Sequence, residues 1–255
     1  MNLDAEPPAL PPARAENEEG SPPRLDRRMR DAADESGPRR RILLLGFVLI
    51  AVGSCAHEPR GLPFYRGPDL TPEWIAQDSP EYAAIHRVAD FALTDQHGET
   101  VTARELNGRV TVASFFFTSC GQICPTLRSS LARVRDAFAG DTAVLLLSHT
   151  VVPEADSVGA LAAYAHRHGI HGRQWRLLTG GREEIRRLAR ESYFVELDDP
   201  GGNTAGNLVH TETLVLLDAG RRIRGVYDGT LPYDVAQLIE DVRALEEEQS
   251  RSGEP

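Results

Sequence analysis

A chain of 255 residues, 41% hydrophobic and 26% charged, can bury one good-sized core with extensions. Its formal net charge of -10 argues against a nucleic-acid binder working through a clustered basic face. Three cysteines are too few for a disulfide-built scaffold, so their placement matters more than their number.

Residues 1–38 are rich in Pro, Glu, Arg and Ala without apolar periodicity and are expected to form a disordered extension, with Met29 as an alternative start. Residues 39–56 join Arg39, Arg40 and Arg41 to an apolar run from Ile42 to Ala56. That run is shorter than the roughly 20 residues of a spanning helix and reads better as an export signal than as a permanent anchor. Val52 to Cys55, VGSC, resembles the bacterial lipobox, which implies lipid on Cys55; left uncleaved, the same segment is a membrane anchor. Both readings keep the arginines inside and place the rest on the outer, periplasmic side of a bacterial cytoplasmic membrane. Residues 57–85, with Pro59, Pro63, Pro68, Pro72 and Pro80, read as a Pro-rich spacer packing on the domain edge.

A regular domain is expected over 86–247, followed by a flexible tail at 248–255. Two short strands flank a turn at Gln96-His97-Gly98. RVTVASFFFTS, from Arg109, is a buried strand. The next segment, 125–138, spaces Leu127, Leu131, Val134 and Phe138 as a helix does. Strand and helix then alternate: AVLLLSH, ADSVGALAAYAHRHG, WRLLTG, GREEIRRLARES and YFVEL at 193–197. HTETLVLLD and RRIRGVYDG form a hairpin across Ala219-Gly220, and PYDVAQLIEDVRALEEE closes the domain as an amphipathic helix. This order indicates an α/β layer fold with a mixed central sheet flanked by helices.

FFFTSCGQICPT, residues 115–126, puts Cys120 and Cys124 at the turn from that buried strand into the helix. Proline suits the first helical position, which makes Cys124 the expected N-cap, with both sulfurs near the positive end of the helix and their thiol pKa lowered. Gly121 is expected to let the short loop fold back. Three intervening residues allow the roughly 4.4–6.8 Å Cα separation of a disulfide. The same approach lets both sulfurs ligate one ion. A reversible disulfide, a two-thiolate metal site, or each in a different redox state all fit.

The order of blocks is similar to the Sco/SenC family of thioredoxin-fold copper-binding proteins. Phe91, Asp95 and Gly98 match F-x-x-x-D-x-x-G; FFFTSCGQICP, SHTVVPEADSVGALAAYAHRHG, LVHTETLVLLD and RGVYDGT follow in family order, and LPFYRGPDLTPEW at 62–74 resembles the segment before the domain. The resemblance implies a thioredoxin-like fold, Cys120 and Cys124 as thiolate ligands and His210 as the imidazole ligand. Gly121 stands where many members have Pro, and Val209 where many have Asp, removing a carboxylate that could orient the imidazole.

Two thiolates and an imidazole suit Cu(I) and also admit Cu(II), whereas structural zinc wants a fourth ligand that the sequence does not supply. His149, at the end of an apolar strand, is read as structural rather than as that ligand. The resemblance implies a membrane-tethered copper chaperone serving the dinuclear copper site of a respiratory cytochrome c oxidase, with the oxidase copper-binding subunit and an upstream copper donor as partners. The enzyme alternative is a thiol-disulfide oxidoreductase, with Cys120 and Cys124 as its redox pair, keeping the oxidase's copper-ligand cysteines reduced. Against it stand C-x-x-x-C in place of C-x-x-C and the lack of a proline before LVLLD.

Overall fold

The computed structural model of the chain describes residues 61–197 and 212–252. The expected extension, the signal or anchor segment with Cys55, and His210 lie outside the described residues. Among those described, no helix is long and apolar enough to cross a membrane.

Seven strands form one mixed sheet: β3 (Ala92–Asp95), β4 (Thr100–Thr102), β5 (Val110–Phe116), β6 (Val144–Thr150), β7 (Trp175–Thr179), β8 (Thr213–Leu217) and β9 (Ile223–Asp228), in the order β4-β3-β7-β6-β5-β8-β9. A separate two-stranded ribbon precedes it, β1 (Phe64–Tyr65) with β2 (Pro72–Glu73). The central strands β5 and β6 are buried along their whole length, which is why they read as continuous apolar runs rather than as alternations. They pair in parallel from Val110 opposite Val144 to Phe116 opposite Thr150, and β6 pairs with β7 in parallel too.

The parallel crossovers are α1 (Cys124–Ala137) and α2 (Val158–Arg167); both pack on one face of the sheet with α4 (Pro232–Ser252). Leu127, Leu131 and Val134 of α1, Leu161 of α2 and Val235, Leu238 and Val242 of α4 share that core. Each buried Leu or Val contributes roughly 1.5–3 kcal/mol. On the same face Ser114 and Ser148 hydroxyls bond at 2.8 Å, and the Trp175 indole donates to Ser148 at 2.9 Å, so no polar group of the trio is left wanting. The opposite face is covered by α3 (Arg182–Arg187), the π-helical turn Leu188–Ser192 and Val88, Phe91, Ala103 and Leu106 from the segments flanking β3 and β4. The mixed α/β sheet flanked by helices is as expected.

Four details differ from the sequence reading. YFVEL adds no strand: Tyr193 and Val195 amides close back on Leu188 and Ala189, and Phe194 takes φ 55°, which ends extension at once. The β8–β9 turn extends one residue beyond the expected Ala219-Gly220, to a left-handed Arg221, φ 65°; Asp218 Oδ1 accepts from the Gly220 and Arg222 amides, both at 2.9 Å, and stabilises it. α4 runs to Ser252, past the expected start of the tail. Residues 61–85 carry structure of their own, with Phe64 buried under the Arg224 guanidinium, which bonds the Leu62 and Pro63 carbonyls.

Candidate metal centre

β5 delivers the chain to Phe117 at one end of the sheet, and α1 starts there. The N-cap is Ile123, one residue before the expected Cys124, because its carbonyl already accepts from Thr126 (3.0 Å) and Leu127 (3.1 Å). Cys124 and Pro125 therefore occupy the first turn, where proline's missing N–H costs nothing. Both thiols are free. The Cys124 amide donates to Cys120 Sγ at 3.4 Å. Cys124 is buried at 6% exposure, while Cys120 is half-buried.

The expected lowering of thiol pKa is reversed at Cys124. Burial and the hydrogen bond with Cys120 push it up to about 12, outweighing hydrogen bonds from the Phe117 and Cys124 backbone. Desolvation here exceeds what a helix start returns. Cys124 consequently keeps its proton at neutral pH until a metal or a disulfide replaces it. Gly121 has an ordinary negative-side backbone, and a Cβ there would meet nothing within 4 Å, so the loop does not require glycine to fold back.

One residue of the core that holds the sulfurs carries no mark in the sequence. Tyr164 of α2 lies against Phe116, with ring centroids 5.6 Å apart, and its hydroxyl bonds Arg128. Burial raises the Tyr164 pKa, and the ring belongs to the same core as Cys124, with Cys120 packed against that core. Arg128 was legible, being one turn after Cys124 on the same helix; nothing in the sequence marked Tyr164.

The other expected residues fall as follows. His149 pairs opposite Phe115 on the sheet face away from α1, stacked on Phe115 at 5.1 Å and beside Tyr193 at 5.3 Å, so it is no ligand of the cysteine pair. Asp95 is a turn and core clamp, accepting from the His97 and Glu99 amides at 2.8 and 2.9 Å and from the Arg176 guanidinium. His97 bonds the Gly172 carbonyl, and His86 that of Ser192. Among the described residues no three of His, Cys, Asp and Glu gather to hold a metal.

His149 makes a testable contribution to stability. Burial pushes its imidazole down from 6.5 to about 4, with the Ser114 carbonyl only partly opposing. Between those values the unfolded chain binds the proton that the folded chain refuses, so stability is complete above pH 6.5 and falls as pH drops toward 4. From this residue alone the loss is about 2 kcal/mol at pH 5. His149→Phe should remove that part of the acid loss, read as a smaller difference between urea midpoints at pH 7.5 and pH 5; an unchanged difference would contradict it.

The SCO1/SenC family model matches residues 80–247. The chain belongs to the SCO1/SenC family. Three solved members share its fold. A SCO1/SenC lipoprotein from Bacillus anthracis is 25% identical with a TM-score of 0.58, the match covering 63% of this chain and 95% of that one. BsSco, described as a member of the Sco family of cytochrome c oxidase assembly proteins and as carrying a disulfide switch, is 26% identical with a TM-score of 0.56, over 63% and 93%. A copper-bound ScoI from Arabidopsis thaliana is 27% identical with a TM-score of 0.51, over 62% and 98%. The thioredoxin-like architecture of the family is therefore that of this chain.

Proposed function

We propose that this protein is a membrane-tethered copper chaperone that carries copper on Cys120, Cys124 and His210 to the dinuclear copper site of a respiratory cytochrome c oxidase. The observation that carries the reading is the pair of free thiols where β5 meets α1, with the Cys124 amide donating to Cys120 Sγ at 3.4 Å. Two soft sulfur donors so placed fit Cu(I). Copper bound to the Arabidopsis relative, and the oxidase-assembly role of BsSco, support the same metal and destination.

Chain connectivity supports His210 as the third ligand. β8 runs antiparallel to β5 with Ala113 opposite Val215. Continued by two residues, that register sets Thr213 level with Phe115, just before the cysteine loop. The Glu212 carbonyl accepts from Gly229, and a Cβ on Gly229 would meet both that carbonyl and Leu127 of α1's first turn. His210 precedes Glu212 by two residues in the chain. Attachment to the periplasmic side of the membrane, through lipid on Cys55 or an uncleaved anchor at 39–56, is part of the proposal and is supported by the lipoprotein relative.

A second reading, thiol-disulfide exchange, is favoured by the contact between the two thiols and by the disulfide switch of BsSco. Closing Cys120–Cys124 releases two protons and two electrons to a partner disulfide, which is thereby reduced to two thiols, and leaves no thiolate for copper. The two readings separate in one experiment. The Cu(I)-loaded chain is mixed with the reduced extramembrane fragment of the oxidase copper-binding subunit, and the metal-free reduced chain with the oxidised fragment. We expect near-stoichiometric copper transfer in the first and slow exchange in the second; retained copper with rapid disulfide reduction would overturn the chaperone reading.

A further inference from the structure

We propose that Asp156 is a positioning residue for the cysteine loop, its buried carboxylate fixing Thr118 and through it the place from which Cys120 offers its sulfur. The inference deepens the copper and redox reading of the same site and rests on it.

Between Phe117 and Ile123 the chain leaves the sheet and has not yet entered α1. Within that stretch the Cys120 amide bonds only back to the Phe117 carbonyl at 3.3 Å, and the side of Gly121 where a Cβ would stand is open. Among the described residues the one side chain of another element that hydrogen-bonds this stretch is Asp156. Its Oδ2 accepts from the Thr118 amide at 3.1 Å and its Oδ1 from the Thr118 hydroxyl at 2.5 Å. Oδ2 also accepts from the Thr150 hydroxyl at the end of β6, at 2.5 Å.

Asp156 is 1% exposed and has no cation among its bonded partners. Burying a carboxylate is expensive unless hydrogen bonds satisfy it, and an apolar residue would serve packing alone at less cost. Here three donors satisfy it, and two of them belong to Thr118, two residues ahead of Cys120. Asp95 and Asp218 each organise their own turns; Asp156 instead joins the β6 end and the start of α2 to the loop that bears the sulfur. Its own position is set independently, by its amide on the Val152 carbonyl at 3.0 Å and by Ser157, which caps α2 through the Ala160 amide. The rigid partner is thus the β6–α2 turn, and the loop is what it holds. Outer partners that orient ligands in this manner typically change metal affinity by about 10–100-fold when removed.

The test uses the full chain in detergent with three substitutions: Asp156→Asn, Thr118→Val and Thr150→Val. Cu(I) affinity is read by chelator competition, the Cys120–Cys124 thiol-disulfide equilibrium against glutathione, and thermal stability alongside. Asp156→Asn and Thr118→Val should each weaken copper about 10–100-fold and shift the disulfide equilibrium by more than about threefold. Thr150→Val, which removes a donor to the same carboxylate but touches no loop residue, should lower thermal stability and leave both site readouts within about twofold. Loss of thermal stability alone in the first two, or equal site effects in all three, would overturn the proposal. Should Asp156→Asn not fold, Thr118→Val decides by the same criteria. If the unsubstituted chain takes up no copper, the copper reading fails by itself and the disulfide equilibrium still judges the clamp.

Discussion

Replacing Cys120 or Cys124 with serine is expected to weaken Cu(I) binding on the order of a thousandfold, about 4 kcal/mol, the largest functional effect in the molecule. A serine hydroxyl is a hard donor that keeps its proton at neutral pH, so the loss is one of chemistry with little change in shape. The two positions should differ in their side effects. Cys124 is nearly enclosed, and serine there inherits backbone hydrogen bonds from Phe117 and its own amide, so the fold should hold. Cys120 is the more accessible sulfur and should be the one a thiol reagent or partner reaches first. His210→Ala should cost less for Cu(I), which two thiolates retain, and far more for Cu(II), which prefers imidazole. Competition titrations under reducing and oxidising conditions check this ranking. Equal, small effects at both cysteines would contradict it.

Arg176→Met should destabilise the domain by about 3–5 kcal/mol, because it strands a buried carboxylate. Asp95 is fully buried, and burial works against its charge; hydrogen bonds from the Glu99 and His97 amides and the Arg176 guanidinium nevertheless hold its carboxyl below the usual range. Arg176 is itself 4% exposed and also faces Glu99 at 3.4 Å and Glu105 at 3.7 Å, so one cation serves three carboxylates at the β3–β4–β7 edge of the sheet. Removing Asp95 as well, in Asp95→Asn with Arg176→Met, should recover part of the loss by taking away the stranded charge. Urea unfolding measures both. A single substitution no worse than the double would show that the pair is not what stabilises this edge. Copper affinity should be unaffected, since the Arg176–Asp95 pair contacts none of Cys120, Cys124 or the loop between them.

Where one physical cause dominated, the sequence could be read directly. Continuous apolar runs announced β5 and β6, the spacing of Leu127, Leu131 and Val134 announced α1, and the pair of cysteines at their junction marked the site. Where causes competed, it misled. At Cys124 helix start and burial push the thiol in opposite directions, and only the packing of Leu127, Tyr164 and Phe116 around it reveals that burial wins. YFVEL has the composition of a strand, yet Tyr193 is consumed by an aromatic cluster with Phe115 and His149, and the left-handed Phe194 prevents pairing. Asp156 carried no local signal at all, since its partners Thr118 and Thr150 lie 38 and 6 residues away and meet only because β5 and β6 are neighbours. His210 as a ligand is implied by resemblance to the family, and it lies outside the described residues.

X-ray absorption of the Cu(I)-loaded chain, compared with the His210→Ala variant, tests the central claim most directly. Two sulfurs and one nitrogen around a single copper, with the nitrogen lost in the variant, is the result this account predicts. A shell of sulfur alone, or one that is identical in both proteins, would contradict it.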